Sequence, residues 1–366
     1  MQFPWSSTQP SSVTFSHMST VHSHKTFYAI GQGGFYSEEL IHEDEKKVIV
    51  YDCGTLSSSA RIKSEISQFP YKDIDYLIIS HLDADHINHI DFLAQGRNIK
   101  KIILPHTNPI DLLFFYVNCN DQDALNSFFN TIQSHQRIEV NADEENHNVP
   151  EYINGDEDVP ILSMSHHQSL GIFSNNPSGH PLWSIKFYID STRYSPNAQN
   201  VLSQADETFI KGVASVTDFN NKKAQLDKIY SKISKIRNVS SMAMISAPNP
   251  KRIRCIGCLN EYFGTWMNGD IILKTSSEMA QIEKHFQNYS IFNFDYQLQH
   301  HGSHENFCRE IQNFRHMRIF IYYGYNNNHG HPSGTVLRKL KDAGLQVYDL
   351  TENDRNCDRT TIWHVI

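Results

Sequence analysis

The stretch whose reading decides the fold is "DYLIISHLDADHINHI", Asp75 to Ile90. Its opening, "DYLIIS", is an apolar, β-branched run of strand length, with the composition of a strand buried on both faces. A second such run, "KKIIL", follows the helix-like "HINHIDFLAQG", in which Gly96 is a stop signal. Strand, helix and strand in that order predict a parallel pair and an α/β fold. At the end of the first strand stand His81, Asp83, Asp85 and His86. Side chains leaving one strand end can converge on a point, and imidazole with carboxylate binds zinc, manganese or iron. The competing reading is a solvated polar loop in which Asp83 or Asp85 caps the next helix. A cap needs one carboxylate; two flanked by histidines exceed that need.

The rest of the chain sets the context for that cluster. Its 366 residues, 39% apolar and 20% charged, suit a globular protein with a sizeable core. A net charge of −8 excludes a generally basic, nucleic-acid-coating protein, so polyanion binding would need a local patch or bound metal. Six cysteines are too sparse for a disulfide scaffold, and Cys255-Ile-Gly-Cys258 has no second pair to complete a zinc knuckle. The opening residues lack the charge and apolar pattern of a signal peptide, and no apolar run is long enough to span a bilayer. A cytoplasmic protein with no membrane partner is the expectation.

Residues 1–26 are rich in Ser, Thr and Pro and read as a loose arm, with one domain over 27–366. "TFYAI" and "KVIVYD" add strands before the deciding stretch. Two less regular blocks, at about 107–160 and 195–237, read as insertions. Order returns with strand-like "SMAMISA", "DIILK", "MRIFIYYGY", "LQVYDL" and "TTIWHVI", and with the amphipathic helix "SGTVLRKLKDAG" between Ser333 and Gly344. Strands and helices recurring in both halves suggest two sheets with helices outside.

Two later places offer the same chemistry. Asp270 follows a Gly in "TWMNGDIIL", and His300, His301 and His304 crowd "YQLQHHGSHENF". A turn aspartate and a surface loop are the plain alternatives. Each nevertheless lies at a strand edge, where a site between two sheets could gather them.

With these motifs in order, the chain resembles the metallo-β-lactamase superfamily, whose signature reads His-x-His-x-Asp-His. Within it, the likeness is to the ComEC-type hydrolase domain of bacterial DNA-uptake channels. "SHLDADHINH", "NVSS" at Asn238 to Ser241, "WMNGD" to Asp270, "HHGS" from His300 and "HGHP" to Pro332 follow that family's order. "IGQGGF" and "VIVYDCG" resemble its opening strands. The resemblance implies an αββα sandwich with a metal site at the strand ends between the sheets. It implies one site from Asp85, His86, the bridging Asp270 and a late histidine, His301 or else His300. It implies another from His81, Asp83 in place of a histidine, and Asn238. The harder oxygen ligands there favour manganese or magnesium over zinc, as one or two ions.

A divalent ion at such a site would serve hydrolysis, most naturally of phosphodiesters, with a metal-activated hydroxide as nucleophile. Asp85, Asn238 and His331 are the catalytic candidates, His331 as proton donor to the leaving group or holder of a phosphate. A histidine that merely ends a loop is the alternative for His331. Asp52 is placed to steady a metal-binding histidine from behind, or is a turn residue before Gly54. Lys251, Arg252 and Arg254, in "NPKRIRC", could track a nucleic-acid backbone beside the site, or form a solvated face. The expected activity is a phosphodiesterase or DNase. A lactone, ester or amide hydrolase and a degenerate metal-binding interaction module are the alternatives.

Overall fold

The computed structural model describes residues 19–105, 131, 135–141, 150–155, 161–174, 180–190, 241–252, 263–313, 317–328 and 330–365. Two eight-stranded sheets account for its core. The first contains β1 (Ser19–Phe27), β2 (Gly33–His42), β3 (Glu45–Thr55), β4 (Asp73–Ile78), β5 (Asn98–Pro105), β6 (Gln136–Asn141), β8 (Ile161–Ser165) and β16 (Cys357–Val365). Its order is β16-β1-β2-β3-β4-β5-β6-β8, antiparallel as far as β3 and parallel beyond.

The second sheet contains β7 (Tyr152–Asn154), β9 (Ser169–Ile172), β10 (Trp183–Ile189), β11 (Met242–Pro248), β12 (Phe263–Met267), β13 (Asn293–Gln297), β14 (Met317–Tyr322) and β15 (Gln346–Leu350). Its order is β15-β14-β13-β12-β11-β10-β9-β7, parallel from β15 to β12.

Helices flank this pair of sheets. The principal ones are α1 (Ser59–Gln68), α2 (Ala84–Ile87), α3 (Ile90–Ala94), α4 (Ser276–His285) and α5 (Gly334–Asp342). Ser58 caps α1 by accepting the Arg61 amide, and Thr275 with Glu278 forms a reciprocal capping box on α4. Ser333 caps α5, and Gly344 ends it at φ +75°. No helix among the described residues is long and apolar enough to cross a membrane.

The sheets face each other across an apolar core that polar pairs cross at fixed points. Phe27 stacks on Phe320 at 3.8 Å between centroids. Tyr36 Oη meets Thr265 Oγ1 at 2.8 Å, Tyr51 Oη donates to the Met242 carbonyl at 2.8 Å, and Tyr322 Oη donates to the Phe35 carbonyl at 2.7 Å. Lys25 is buried from the first sheet against Asp295 of the second, at 3.3 Å, and Arg318 holds the other oxygen of that carboxylate at 2.6 Å. A buried charge survives only when paired in this way.

Several expectations change. Residues 19–26, read as part of the loose arm, are β1, paired between β16 and β2. Its inward face carries Ser23 and Lys25 between Val21 and Phe27; Glu38 of the neighbouring β2 satisfies the first and Asp295 of β13 the second. "DIILK" is not a strand: β12 ends at Met267, and Ile271 to Leu273 are buried as irregular chain. Residues 136–141 and 152–154, within the first expected insertion, are β6 and β7, one in each sheet. The 195–237 block, Asn238, Arg254, Cys255 and Cys258 lie outside the described residues.

Parallel strands leave their carboxyl ends on one rim, and this topology positions the site. The chain leaves β4 toward His81, β12 toward Asp270, β13 toward His300 and His301, and β14 toward His331 on that rim. The Met242 amide at the start of β11 donates to the Ser80 carbonyl at 2.7 Å, joining the two sheets there.

Candidate metal centre

His81, Asp85, His86, Asp270 and His301 are buried together at this rim. One donor atom each from His81, His86 and Asp270 lies within 4.8 Å of the others, and the same holds for Asp85, His86 and His301. His86 therefore belongs to both groups. Its Nε2 is 3.5 Å from Asp270 Oδ1 and 3.9 Å from Asp85 Oδ2. His301 Nε2 stands 3.2 Å from Asp85 Oδ2 and 3.7 Å from Asp270 Oδ1. His81 Nε2 is 3.9 Å from Asp270 Oδ2 and 3.8 Å from Asp83 Oδ2. Asp270 thus faces the three buried imidazoles with its two oxygens, the place a bridging carboxylate would take.

Each ring is aimed from behind. Asp52 Oδ2 binds Nδ1 of His86 at 2.7 Å and accepts the Ser80 hydroxyl at 2.7 Å, while its Oδ1 accepts the Ser80 amide at 2.7 Å. Ser80 Oγ also meets Nδ1 of His81 at 2.9 Å, and Nδ1 of His301 donates to the Tyr322 carbonyl at 2.9 Å. Fixing Nδ1 in this way directs Nε2 inward, as outer partners of metal-binding histidines do. Asp52 reaches His86 because it is the extra residue of a β-bulge: Tyr51 pairs with Tyr36 and Cys53 with Phe35, leaving Asp52 unpaired at φ +56°. Bulges next to functional sites re-aim side chains in just this manner.

The backbone is equally committed. His300 and His301 both hold left-handed φ, +47° and +54°, a conformation costing of order 1 kcal/mol or more per residue. Gly269 turns the chain at φ +52°, and a Cβ there would lie 2.8 Å from Ser80 Cβ. That close approach seats the following Asp270, whose amide donates to Ser241 Oγ at 3.0 Å.

A cation fits this donor set. The Nε2 atoms of His81 and His86 are buried and make no hydrogen bond, an expensive arrangement unless an ion completes it. Burial lowers the pKa of His81 to about 3, so it is neutral and ready to ligate at neutral pH. Burial alone would strip the proton from His86 too, but the Asp52 and Asp85 carboxylates outweigh it and hold that pKa well above 6.5. His301 is raised against its burial by Asp270 and Asp85. Protons on those two rings supply the positive charge that three close carboxylates demand. The helix-cap alternative fails: Asp83 occupies the N-cap position of α2 without any side-chain capping bond.

The residues expected from sequence separate clearly. His81, Asp83, Asp85, His86, Asp270, His300 and His301 are brought together, with Asp52 behind His86. His301 is the buried member of its pair, while His300 stands at the rim, its Nδ1 3.3 Å from Asp270 Oδ2. His331 lies beside His300, 5.9 Å between ring centroids, and the Ser333 amide donating to the Gly302 carbonyl at 3.1 Å ties their loops. Ser80, Ser241 and Tyr322 were not foreseen in their supporting roles. Of these, Ser80 and Ser241 had a signal, as the start of "SHLDADHINH" and the end of "NVSS".

Lys251 and Arg252 do not border the cluster. They follow β11 at its far end, about 20 Å from Met242 by the usual strand rise. Lys251 is ion-paired there with Glu151 at 2.5 Å. An antiparallel hairpin turns at the end of the sheet opposite its two open ends, so Lys251 and Arg252, between Ser241 and Asp270 in sequence, land away from both.

Residues 40–124 match the family model of the Metallo-beta-lactamase superfamily. The matched stretch contains Asp52, His81, Asp83, Asp85 and His86; Asp270, His300 and His301 lie beyond it. The α/β two-sheet architecture implied by the resemblance is the one observed. No curated protein matches the chain in sequence. Among solved structures, it is similar to the metallo-beta-lactamase fold protein YhfI from Bacillus subtilis, at 12% identity over 93% of this chain and 99% of that one, TM-score 0.38. It is also similar to a diphosphatase of the PhnP family, at 8% identity over 95% and 99%, TM-score 0.39. Zn(2+)-bound PqqB from Methylobacterium extorquens matches at 8% identity over 92% and 99%, TM-score 0.38.

Proposed function

We propose that the protein is a metal-dependent hydrolase of phosphodiesters, with nucleic acid as its substrate. The observation that carries this reading is the convergence of Asp85, His86, Asp270 and His301 from separate strand ends, with His81 alongside and its inward nitrogen buried. A divalent cation held by these residues would act as a Lewis acid and lower the pKa of water to about 7. The set mixes carboxylate oxygen with imidazole, which suits zinc or manganese, and the oxygen-rich side at His81 and Asp83 suits manganese or magnesium.

The chain's own residues supply the rest. Asp52 holds His86 in one tautomer, and the Tyr322 carbonyl does the same for His301. His300 and His331, at the mouth of the site, are the two rings able to hydrogen-bond a phosphate oxygen or hand a proton to a departing oxygen. The left-handed backbone at His300 keeps its ring over Asp270 rather than in solvent. These features, with the motif order shared with DNA-uptake hydrolase domains, favour a phosphodiester over a carboxylic ester. With Lys251 and Arg252 at the far end of β11, charge matching to the substrate rests, among the described residues, on those that hold the cation and on the two rim histidines.

The test is purified protein with Mn²⁺ or Zn²⁺, offered plasmid, single-stranded DNA, RNA, bis(p-nitrophenyl) phosphate, and a panel of lactones and thioesters. Cleavage of the phosphodiesters, lost at least 100-fold in Asp270→Ala, is the expected result. Turnover confined to lactones or thioesters would replace the reading with a carbonyl hydrolase. Tight metal binding with no turnover would make the cluster a recognition module.

A further inference from the structure

A second group of imidazoles lies outside the cluster just described. His166 and His167 form the turn that carries the chain from β8 in the first sheet to β9 in the second, and His285 is the last residue of α4. One donor nitrogen of each lies within 4.8 Å of the others. The rings of His166 and His285 are 4.8 Å apart between centroids, and those of His167 and His285 are 5.4 Å apart. They line a cavity of about 390 Å³ shared with Lys186, Tyr188, Asp190 and Lys284.

We propose that His166, His167 and His285 form a second metal site that takes a late first-row transition ion such as zinc or cobalt. The geometry is close to what such an ion requires. Two nitrogens each about 2.0–2.1 Å from a tetrahedral ion stand about 3.3 Å apart. Nε2 of His166 and Nε2 of His167 are 3.1 Å apart. His285 gives its Nε2–H to the Phe187 carbonyl at 2.7 Å, which leaves the lone pair on Nδ1 as its donor. The Ile189 amide donates to Nδ1 of His166 at 3.2 Å and fixes that ring. In the metal-free protein the neutral His166 ring therefore carries its proton on Nε2, toward His167; for Nε2 to ligate, that proton moves to Nδ1 and the bond from the Ile189 amide is given up.

Three imidazoles and no carboxylate in the triad make a softer set than the main cluster, which favours zinc over manganese. Burial keeps the rings neutral: it pushes His166 down to about 4 and His285 down to about 2. Lys186 and Lys284 on the cavity wall oppose a cation, and Asp190 offsets part of that. The fourth position faces the cavity and is open to water or an anion. An ion here would tie the end of α4 to the turn that joins the sheets. β11 separates the place from the rim: Ile189 pairs with Met242, and Met244 with Met267.

The experiment uses Co²⁺ as probe on the full chain, read by calorimetric stoichiometry and by visible absorption. The main cluster is silenced by His86→Gln with Asp270→Asn, which breaks both of its donor groups. That variant is expected to bind one Co²⁺ per chain with a tetrahedral spectrum, and adding His167→Gln is expected to abolish both. His167→Gln is chosen because it leaves the His285–Phe187 bond intact; a circular-dichroism melt checks that each variant is folded. A folded silenced variant that takes up no Co²⁺, or one whose uptake survives His167→Gln, overturns the proposal.

Discussion

Asp52→Asn tests whether the cluster is oriented from behind for an ion. In the native protein Asp52 Oδ2 faces Nδ1 of His86 at 2.7 Å and the Ser80 hydroxyl at 2.7 Å, while Oδ1 takes the Ser80 amide at 2.7 Å. Asparagine keeps the shape and can keep the Oδ1 bond. Its amide nitrogen, in the Oδ2 position, donates where the carboxylate accepted. His86 then satisfies it best with Nδ1 bare and the proton on Nε2, the atom aimed at Asp85 and Asp270. In the metal-bound state, where Nε2 must offer its lone pair and the ring proton must sit on Nδ1, the variant thus lacks the acceptor that held that proton. Losing an outer partner of this kind costs about 10- to 100-fold in metal affinity, or about 1.4–2.7 kcal/mol. Calorimetric titration of Zn²⁺ or Mn²⁺ into wild type and variant reads the difference directly, with thermal unfolding as the check on fold. An Asp52→Asn protein that is folded and binds the ion as tightly as wild type would refute the reasoning.

Chelator-treated protein should be most stable near pH 6.5: below it His81, His166 and His285, depressed by burial, cost stability because the unfolded chain takes up their protons first. Against their burial, Asp85 is held at about 2 by His86, and Asp270 well below 3.8 by His301, so their contribution is complete above 3.8 and is lost as pH falls through the depressed values. His86, raised well above 6.5, contributes fully below 6.5 and progressively less as pH rises through its folded value. Urea midpoints across pH measure this, and a flat profile would contradict it. Gly54→Ala would place a Cβ 2.6 Å from the Ile87 amide nitrogen and 2.7 Å from the Asp85 carbonyl, backbone atoms that cannot swing aside. Overpacking of this kind costs about 1–3 kcal/mol in urea unfolding, and here metal affinity should fall with it. If both hold steady, the close seating of α2 on β3 does not aim Asp85 and His86. Lys251→Glu breaks an exposed ion pair, so it should change stability by less than about 1 kcal/mol and leave turnover and its salt dependence untouched. A steep loss of nucleic-acid cleavage would return that basic run to the substrate path.

What the chain disclosed by pattern, and what it hid, follows from where each residue sits relative to a strand end. His81 follows directly on "DYLIIS", with Asp85 and His86 one short turn further on, and strands buried on both faces are uninterrupted apolar runs that need no context to recognise. Asp270 was found for its place after a Gly, although the strand beside it is "FGTWM" and the apolar "IIL" beyond is packed coil; a short apolar run reports burial, not geometry. β1 was missed because half of its inward face is polar, and the groups that satisfy Ser23 and Lys25 arrive from other strands. Nothing in "VIVYDCG" marks a left-handed bulge at Asp52, yet that bulge is what turns its carboxylate onto His86. Lys251 and Arg252 show the same limit from the other side. Midway in sequence between two strand ends on one rim is the point that an antiparallel hairpin carries farthest from both. His166, His167 and His285 form no motif at all, because a turn and a helix end bring them together. A ligand set drawn from strand ends is therefore legible before the fold is known, and one drawn from bulges, turns and helix ends is not.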